Sequence, residues 1–224
     1  MRVYNITPEN DMTFLAEIQS VLAGVQFPVA ITGAGISTAS GLPLLEADVC
    51  GLPLRDLFRR PLWRNDAELY FTVYRSVLME WRTAQPNAAH TALAEHGFYV
   101  VTQNVDGLHR DAGSDRLLEI HGNLRELECE RCQSRYGSSL VWEERVPMCP
   151  QCSSVLKPGI VFEGEEVRHF SRAVDWVGRA DVLFVVGTKL EMHPVRELLD
   201  VVNGSLVCRV EVNAEAERVL PHLL

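Results

Sequence analysis

Four of the six cysteines in this 224-residue chain fall into two C-x-x-C pairs, Cys129/Cys132 and Cys149/Cys152. Thiolates at this doubled spacing form two knuckles that complete a tetrahedral zinc site. Four protein ligands leave no open coordination position, so one zinc held here would be structural. A redox pair fits less well, because neither C-x-x-C stands at a helix start after a strand. Cys50 and Cys208 stand alone. A second constellation is G-A-G-I-S-T-A-S at 33–40, directly after the apolar run Pro28 to Thr32. Gly33 and Gly35 allow a tight turn and a close backbone approach to a ligand. Ala34 between them is small. Ser37, Thr38 and Ser40 suit a helix start whose free N–H groups face an anion. This is a phosphate-cradling turn. It departs from the G-x-G-x-x-G fingerprint, because Thr38 stands at the third glycine and no second strand ends in a ribose-binding acid at the usual distance. A Gly-rich strand-to-helix turn without a ligand is the alternative.

Two further polar clusters follow apolar runs. In T-Q-N-V-D-G-L-H at 102–109, Gln103 and Asn104 offer donors and acceptors for a carboxamide or a ribose, and Asp106 can accept from an amide. An Asx-type turn closing the strand explains the same residues. In E-I-H-G-N at 119–123, His121 is placed to act as a general base near neutral pH. A lone histidine is more often a hydrogen-bonded structural residue, and that account suits His90, His96, His109, His169, His193 and His222 better. His121 is set apart by its place beside the glycine turn.

The elements that must position these residues alternate between two periods. Thr7-Pro8-Glu9 reads as a helix start for Met12, Leu15, Ile18 and Leu22, with Gly24 at its end. A strand over 28–32 follows. Residues 44–65 read as a long loop with a short helix near Leu54 to Phe58. Helices are predicted from Asp66 to Trp81, from Asn87 to Gly97, through Val167 to Val177, and from Pro194 to Val202. Strands are predicted at 98–102, 116–120, 159–162, 181–186 and 206–212. Alternating strands and helices imply an α/β fold with a mostly parallel, doubly wound sheet. Ligands bind beyond the carboxyl ends of such strands. Gly33 to Ser37, Gln103 to Asp106, His121, Gly187-Thr188 and Asn213 all follow predicted strands, so they should converge on one crevice. Segment 124–157, with the cysteines and few apolar periods, reads as an insert.

A net charge of −9 argues against general nucleic-acid binding. No apolar run approaches the ~20 residues that span a bilayer. Met1-Arg2-Val3-Tyr4-Asn5 lacks the apolar core of a signal peptide. The expectation is a cytoplasmic protein of one domain plus a small insert, with its oligomeric state open.

Taken together, these blocks resemble the sirtuins, the family of NAD-dependent protein deacylases. The likeness rests on G-A-G-I-S at 33–37, P-N-A-A-H at 86–90, T-Q-N-V-D-G-L-H at 102–109, I-H-G-N at 120–123, the paired cysteines, G-T at 187–188 and V-N at 212–213. It covers nearly the whole chain in the family's order. The resemblance implies a Rossmann-like doubly wound domain over 1–123 and 158–224 and a small zinc-bearing domain over 124–157, joined by part of 44–85. It implies NAD between them, held by Gly33, Ala34, Gly35, Ser37, Gln103, Asn104, Asp106, Gly187, Thr188 and Asn213. Asn104 and Asp106 would lie near the nicotinamide and share in catalysis with His121. An acyl-lysine oxygen would attack the ribose carbon as nicotinamide leaves, His121 would serve as base on a ribose hydroxyl, and the acyl group would end on ADP-ribose. The partner implied is an acyl-lysine protein or peptide.

The chain departs from the family pattern at four places. Leu44, Leu45 and Glu46 replace the usual Asp-Phe-Arg after Gly41-Leu42-Pro43, which removes an aromatic over the reacting ribose and a cofactor-binding Arg. Lys189 stands where serine is usual after Gly-Thr, and is expected to supply the charge lost at position 46. Glu163-Gly164-Glu165 replaces Phe-Gly-Glu in the segment that flanks the acyl-lysine tunnel, where Val161, Glu163 and Gly164 are the expected substrate contacts. An added acid there would favour basic peptides or displace the usual substrate. The tail after Asn213 is short. For acyl preference, Arg75 matches half of the Tyr-x-x-Arg pair of the desuccinylase type, but its partner position is Thr72, with Phe71 and Tyr74 nearby, so no anionic acyl group is assigned. Two alternatives stay open: an NAD-cleaving ADP-ribosyltransferase or NAD glycohydrolase, and a non-enzymatic nucleotide-binding adaptor.

Overall fold

Val182–Val186 reads V-L-F-V-V and is buried at every position, as a strand covered on both faces must be. It lies inside a six-stranded sheet of spatial order Arg2–Ile6, Cys208–Val212, Val182–Val186, Pro28–Thr32, Tyr99–Thr102, Leu117–Glu119. Every neighbouring pair is parallel. The computed structural model describes residues 2–202 and 206–224. Along Pro28–Thr32, Ala30 faces one apolar cluster while Val29 and Ile31 face the other, the period of two that a doubly covered sheet requires. Asp11–Leu22, Ala88–Glu95 and Ala216–Leu223 supply Ile18, Leu93 and Leu220 to the first face. Phe170–Arg179 supplies Trp176 and Val177 to the second.

The chain moves outward from Pro28–Thr32 to Tyr99–Thr102 and Leu117–Glu119, then returns to the other side of its starting strand. The order therefore reverses between Pro28–Thr32 and Val182–Val186, and a crevice opens beyond their carboxyl ends.

A third apolar cluster lies apart from the sheet. It joins Leu54 and Leu57, Tyr70, Phe71 and Tyr74, Leu127, Ile160 and Phe162. Its frame is the helix Ala67–Trp81 and a three-stranded antiparallel sheet with Gly122–Glu128 between Arg135–Gly137 and Lys157–Ile160. Asp66 caps that helix by accepting from the Leu69 N–H at 3.0 Å.

Several local expectations change. The sequence pattern does not predict the strand Arg2–Ile6: R-V-Y-N-I is a short edge strand with only Tyr4 and Ile6 buried, so it carries little apolar signal. The first helix starts at Asp11 and not at Pro8, because the Asn10 Oδ1 accepts from the Thr7 N–H at 2.8 Å and closes a turn. The strand expected at 159–162 is Lys157–Ile160 and belongs to the small antiparallel sheet. Arg60–Asn65 is a helix within the segment whose sequence predicts a loop, and the helix expected over Pro194 to Val202 shortens to a 3₁₀ turn at Val195–Leu199. The tail after Asn213 forms the helix Ala216–Leu223, with Ala216, Val219, Leu220 and Leu223 buried. Among the described residues no helix is long and apolar enough to cross a membrane.

Candidate functional site

The glycine turn and the 187–188 turn are built against each other. Gly33 donates to the Val186 carbonyl at 3.1 Å, and Gly35 to the Gly187 carbonyl at 2.9 Å. A Cβ on Gly35 would sit 2.7 Å from the Gly187 Cα, so only glycine allows this approach. Neither Gly33 nor the residues to Ser40 adopt a positive φ. The closeness expected toward a ligand is thus, in the first place, closeness to the neighbouring turn. Ala34–Ser40 winds as a 3₁₀ helix. Gly187 in turn donates to the Val212 carbonyl at 2.8 Å, which brings Asn213 to the same end of the sheet.

Ser37 is the buried hub of the crevice. Its Oγ donates to the Asp106 Oδ2 at 2.8 Å and accepts from the Asn104 Nδ2 at 3.0 Å. The Leu108 N–H donates to the Asp106 Oδ1 at 2.8 Å, closing the Asx turn that sequence reading had offered as an alternative. Burial pushes the Asp106 carboxyl above its ordinary range, while these donors and Arg125 pull against that shift. Gln103 donates from its Nε2 to the Thr188 Oγ1 at 2.9 Å, linking the second polar cluster to the 187–188 turn.

His121 stands at the same edge. Its Nδ1 lies 3.1 Å from the Gln103 carbonyl, which can only accept, so Nδ1 carries the proton and Nε2 presents a lone pair. Among the described residues Nε2 has no hydrogen-bond partner. Burial lowers the His121 pKa below 6.5, opposed by the Gln103 bond, so the imidazole is neutral near pH 7. Gly122 makes this placement possible. Its φ is +82° and a Cβ there would lie 2.1 Å from the Gly159 carbonyl oxygen. The His121 carbonyl accepts from the Val161 N–H at 2.9 Å, which sets the 161–165 segment beside the histidine.

The structural histidines expected from the sequence form the layer beneath. His90 and His109 are buried with ring centroids 4.7 Å apart. The Asn87 N–H donates to the His90 Nδ1 at 3.3 Å, so His90 Nε2 bears the proton and faces the Ser37 Oγ at 3.4 Å. The Asn87 Nδ2 donates to the Ile36 carbonyl at 2.8 Å, tying Ala88–Glu95 to the glycine turn. The signal was present in P-N-A-A-H as a capping box with histidine at its third position. Burial lowers His90 to about 4 and holds His109 well below 6.5.

Lys189, Asn213 and Glu46 are exposed, as are Leu44 and Leu45. Glu163 is also exposed and takes a 2.7 Å hydrogen bond from the Arg59 Nε, while Gly164 adopts φ +86°. Arg75 does not face an open acyl site: its Nη1 donates to the carbonyls of Val141, Glu144 and Arg145 at 3.0 to 3.3 Å.

The four paired cysteines converge, with all four Sγ atoms within 4.8 Å of one another. Sγ of Cys129 lies 3.4 Å from that of Cys152, and Cys132 lies 3.5 Å from Cys149. A tetrahedron with metal–sulfur bonds of ~2.3 Å has edges near ~3.8 Å, so the cluster fits zinc. Its two turns are built alike. Cys129 donates to the Ser134 carbonyl at 2.9 Å and Cys149 to the Ser154 carbonyl at 2.7 Å. Gln133 and Ser153 both take a positive φ.

A family model described as Sir2 family matches residues 33–194. The chain is 37% identical over 217 residues to an NAD-dependent protein deacylase of Aeropyrum pernix, covering 90% of this chain and 86% of the relative. It is 32% identical over 225 residues to an NAD-dependent protein deacylase of Thermococcus sibiricus, covering 92% and 88%. Among solved structures it is similar to a Sir2 homolog–NAD complex, with a TM-score of 0.84 and 27% identity over 100% of this chain and 94% of that one. It is also similar to Sir2Tm bound to a propionylated peptide, with a TM-score of 0.81 and 28% identity over 93% and 96%.

Proposed function

The chain belongs to the Sir2 family, and from that membership and the crevice geometry we propose that it is an NAD-dependent protein-lysine deacylase. It transfers an acyl group from a lysine to ADP-ribose and releases nicotinamide. NAD, when bound, supplies an electrophilic ribose carbon with nicotinamide as leaving group.

The observation that carries this reading is His121, with Nδ1–H fixed on the Gln103 carbonyl, Nε2 free and a lowered pKa. That is a neutral, oriented general base at the mouth of a dinucleotide crevice. Asn104 and Asp106 are its catalytic companions. Ser37 holds both side chains, which keeps the Asn104 amide oriented toward a nicotinamide or ribose. Gly33, Ala34, Gly35, Gly187, Thr188 and Asn213 line the carboxyl ends of the strands and complete the cofactor set with Gln103. The polar groups there suit a dinucleotide, since the loops supply N–H groups, amides and a hydroxyl at one edge of the sheet. Lys189 adds positive charge to a loop region that carries Glu46. Changing Lys189→Ser then weakens NAD binding, and an unaltered affinity removes Lys189 from the set. Val161, Glu163 and Gly164 contact the acyl-lysine substrate. Cys129, Cys132, Cys149 and Cys152 hold one structural zinc in a small domain over 124–157, with part of 44–85. The Rossmann-like domain comprises the rest of 1–123 and 158–224, apart from the ends of the strands Gly122–Glu128 and Lys157–Ile160, which belong to the small antiparallel sheet.

The test is nicotinamide release from NAD with and without acyl-lysine peptides, with His121→Ala as control. Release that needs a peptide and is lost in the variant supports the deacylase. The exposed Leu44 and Leu45 favour a second reading, NAD cleavage with water or another acceptor, because neither of these two side chains is packed into the core. Peptide-independent release selects that reading. Binding of NAD without turnover in any arm rejects both.

A further inference from the structure

Glu163 lies two residues beyond Val161, which is bonded to the His121 carbonyl. Two residues of extended chain span at most roughly 7 Å. On the deacylase reading the 161–165 segment borders the acyl-lysine, which puts Glu163 within reach of the residues beside it. The position of Glu163 is fixed from behind. Its N–H donates to the Phe58 carbonyl at 2.8 Å. The Phe162 N–H donates to the Glu165 Oε2 at 3.0 Å, and Lys157, almost fully buried, donates to the same oxygen at 2.8 Å.

The charges around Glu163 are unequal. Its side chain is 66% exposed, and Arg59 reaches only its Oε2. Arg59 also serves Asp56 at 3.3 Å, so two carboxylates share one guanidinium. Two cations of this region are committed elsewhere. Arg60 is paired with Glu130 and Glu165, and Lys157 with Glu128, Glu165 and the Ile160 carbonyl. Glu166 adds a further exposed acid. The surface end of the 161–165 segment is thus negative, in a chain whose net charge is −9.

We infer that Glu163 makes this protein select acyl-lysine substrates that carry arginine or lysine beside the modified residue. The inference rests on the deacylase reading and names its substrate class. A basic neighbour meets the uncommitted Glu163 Oε1, whereas an acidic neighbour must compete with Glu163 and Asp56 for Arg59.

The experiment compares two peptides that differ only in having arginine or glutamate on both sides of the acyl-lysine. In kcat/KM for nicotinamide release at low salt, the arginine peptide is preferred by about ten-fold, and high salt compresses the ratio. Glu163→Gln keeps the shape and lowers the preference about two- to five-fold, the range expected for an exposed charge pair. Arg59→Ala frees Glu163 and widens the preference. A ratio that is the same in Glu163→Gln as in the parent protein overturns the inference while leaving the deacylase intact. If neither peptide is turned over, the deacylase reading fails, and fluorescence anisotropy of the same two labelled peptides decides this point. Tighter binding of the arginine peptide that weakens in Glu163→Gln supports the selection, and equal binding of both peptides rejects it.

Discussion

Replacing Gly122 by alanine should damage stability and catalysis together, because one backbone contact serves both. The new Cβ would start 2.1 Å from the Gly159 carbonyl oxygen and 2.9 Å from the Ile160 Cα, both main-chain atoms that cannot swing aside. The strands Gly122–Glu128 and Lys157–Ile160 must separate by roughly 1 Å to restore ordinary contact. That shift stretches the 2.9 Å bond from the Val161 N–H to the His121 carbonyl past its useful range. The left-handed backbone costs about 1 kcal/mol for alanine, the lost bond about 1 kcal/mol, and the residual overlap about 1–3 kcal/mol. Together these give about 3–5 kcal/mol of lost stability, read by urea unfolding. A displaced His121 should lower kcat/KM for nicotinamide release about 100-fold. Gly113→Ala is the control, because Gly113 has φ +85° but nothing within 4 Å of its added Cβ. It should lose only the backbone share, about 1 kcal/mol, and keep its activity. A Gly122→Ala protein that matches Gly113→Ala in both measurements would refute the close-contact argument.

Three further outcomes are expected. The acid limb of the kcat/KM profile should have its midpoint below pH 6.5 if His121 is the proposed base, because a base must be neutral and burial lowers its pKa; a midpoint above 6.5 would contradict the desolvated setting. Folding stability should fall as the pH drops below 6.5 and go on falling until about 4, because His90 is buried neutral while the unfolded chain takes up its proton first. The loss from His90 alone is about 2 kcal/mol by pH 5, and urea midpoints that stay flat between pH 7 and 5 would contradict it. Purified protein should contain one zinc per chain, and a chelator or Cys149→Ser should cost more than about 3 kcal/mol in thermal unfolding, since a structural site couples metal binding to folding; full stability without metal would argue against the four-thiolate site.

The central strands and the convergence of the loops were legible in the sequence. Pro28–Thr32 and Val182–Val186 are continuous apolar runs, and such runs announce strands buried on both faces. The cysteine site was legible because ligand spacing within each knuckle is local. His121 could be singled out because glycine follows it at a strand end. These features depend on neighbours within a few residues, so the chain carries them in plain order.

Other features depend on partners far apart in the chain, and no local pattern encodes them. The edge strand Arg2–Ile6 exists because Cys208–Val212 offers it a parallel partner, with Tyr4 paired to Val210 some 200 residues away. The Ser37 hub needs residues 37, 87, 90, 104 and 106 brought to one point, which takes both the pairing of Pro28–Thr32 with Tyr99–Thr102 and the packing of Ala88–Glu95 on the sheet. Gly122 reads as a simple turn residue until Gly159 is seen to leave no room for a Cβ. Glu163 shows in sequence only as an added acid. The folded chain decided what that acid faces, by making it share Arg59 with Asp56. Residue types and local periods thus determined the central strands, the paired cysteines and the candidate base. Long-range packing alone decided their tautomers, their charge balance and the space left beside them, because those depend on which distant groups exclude water from one another.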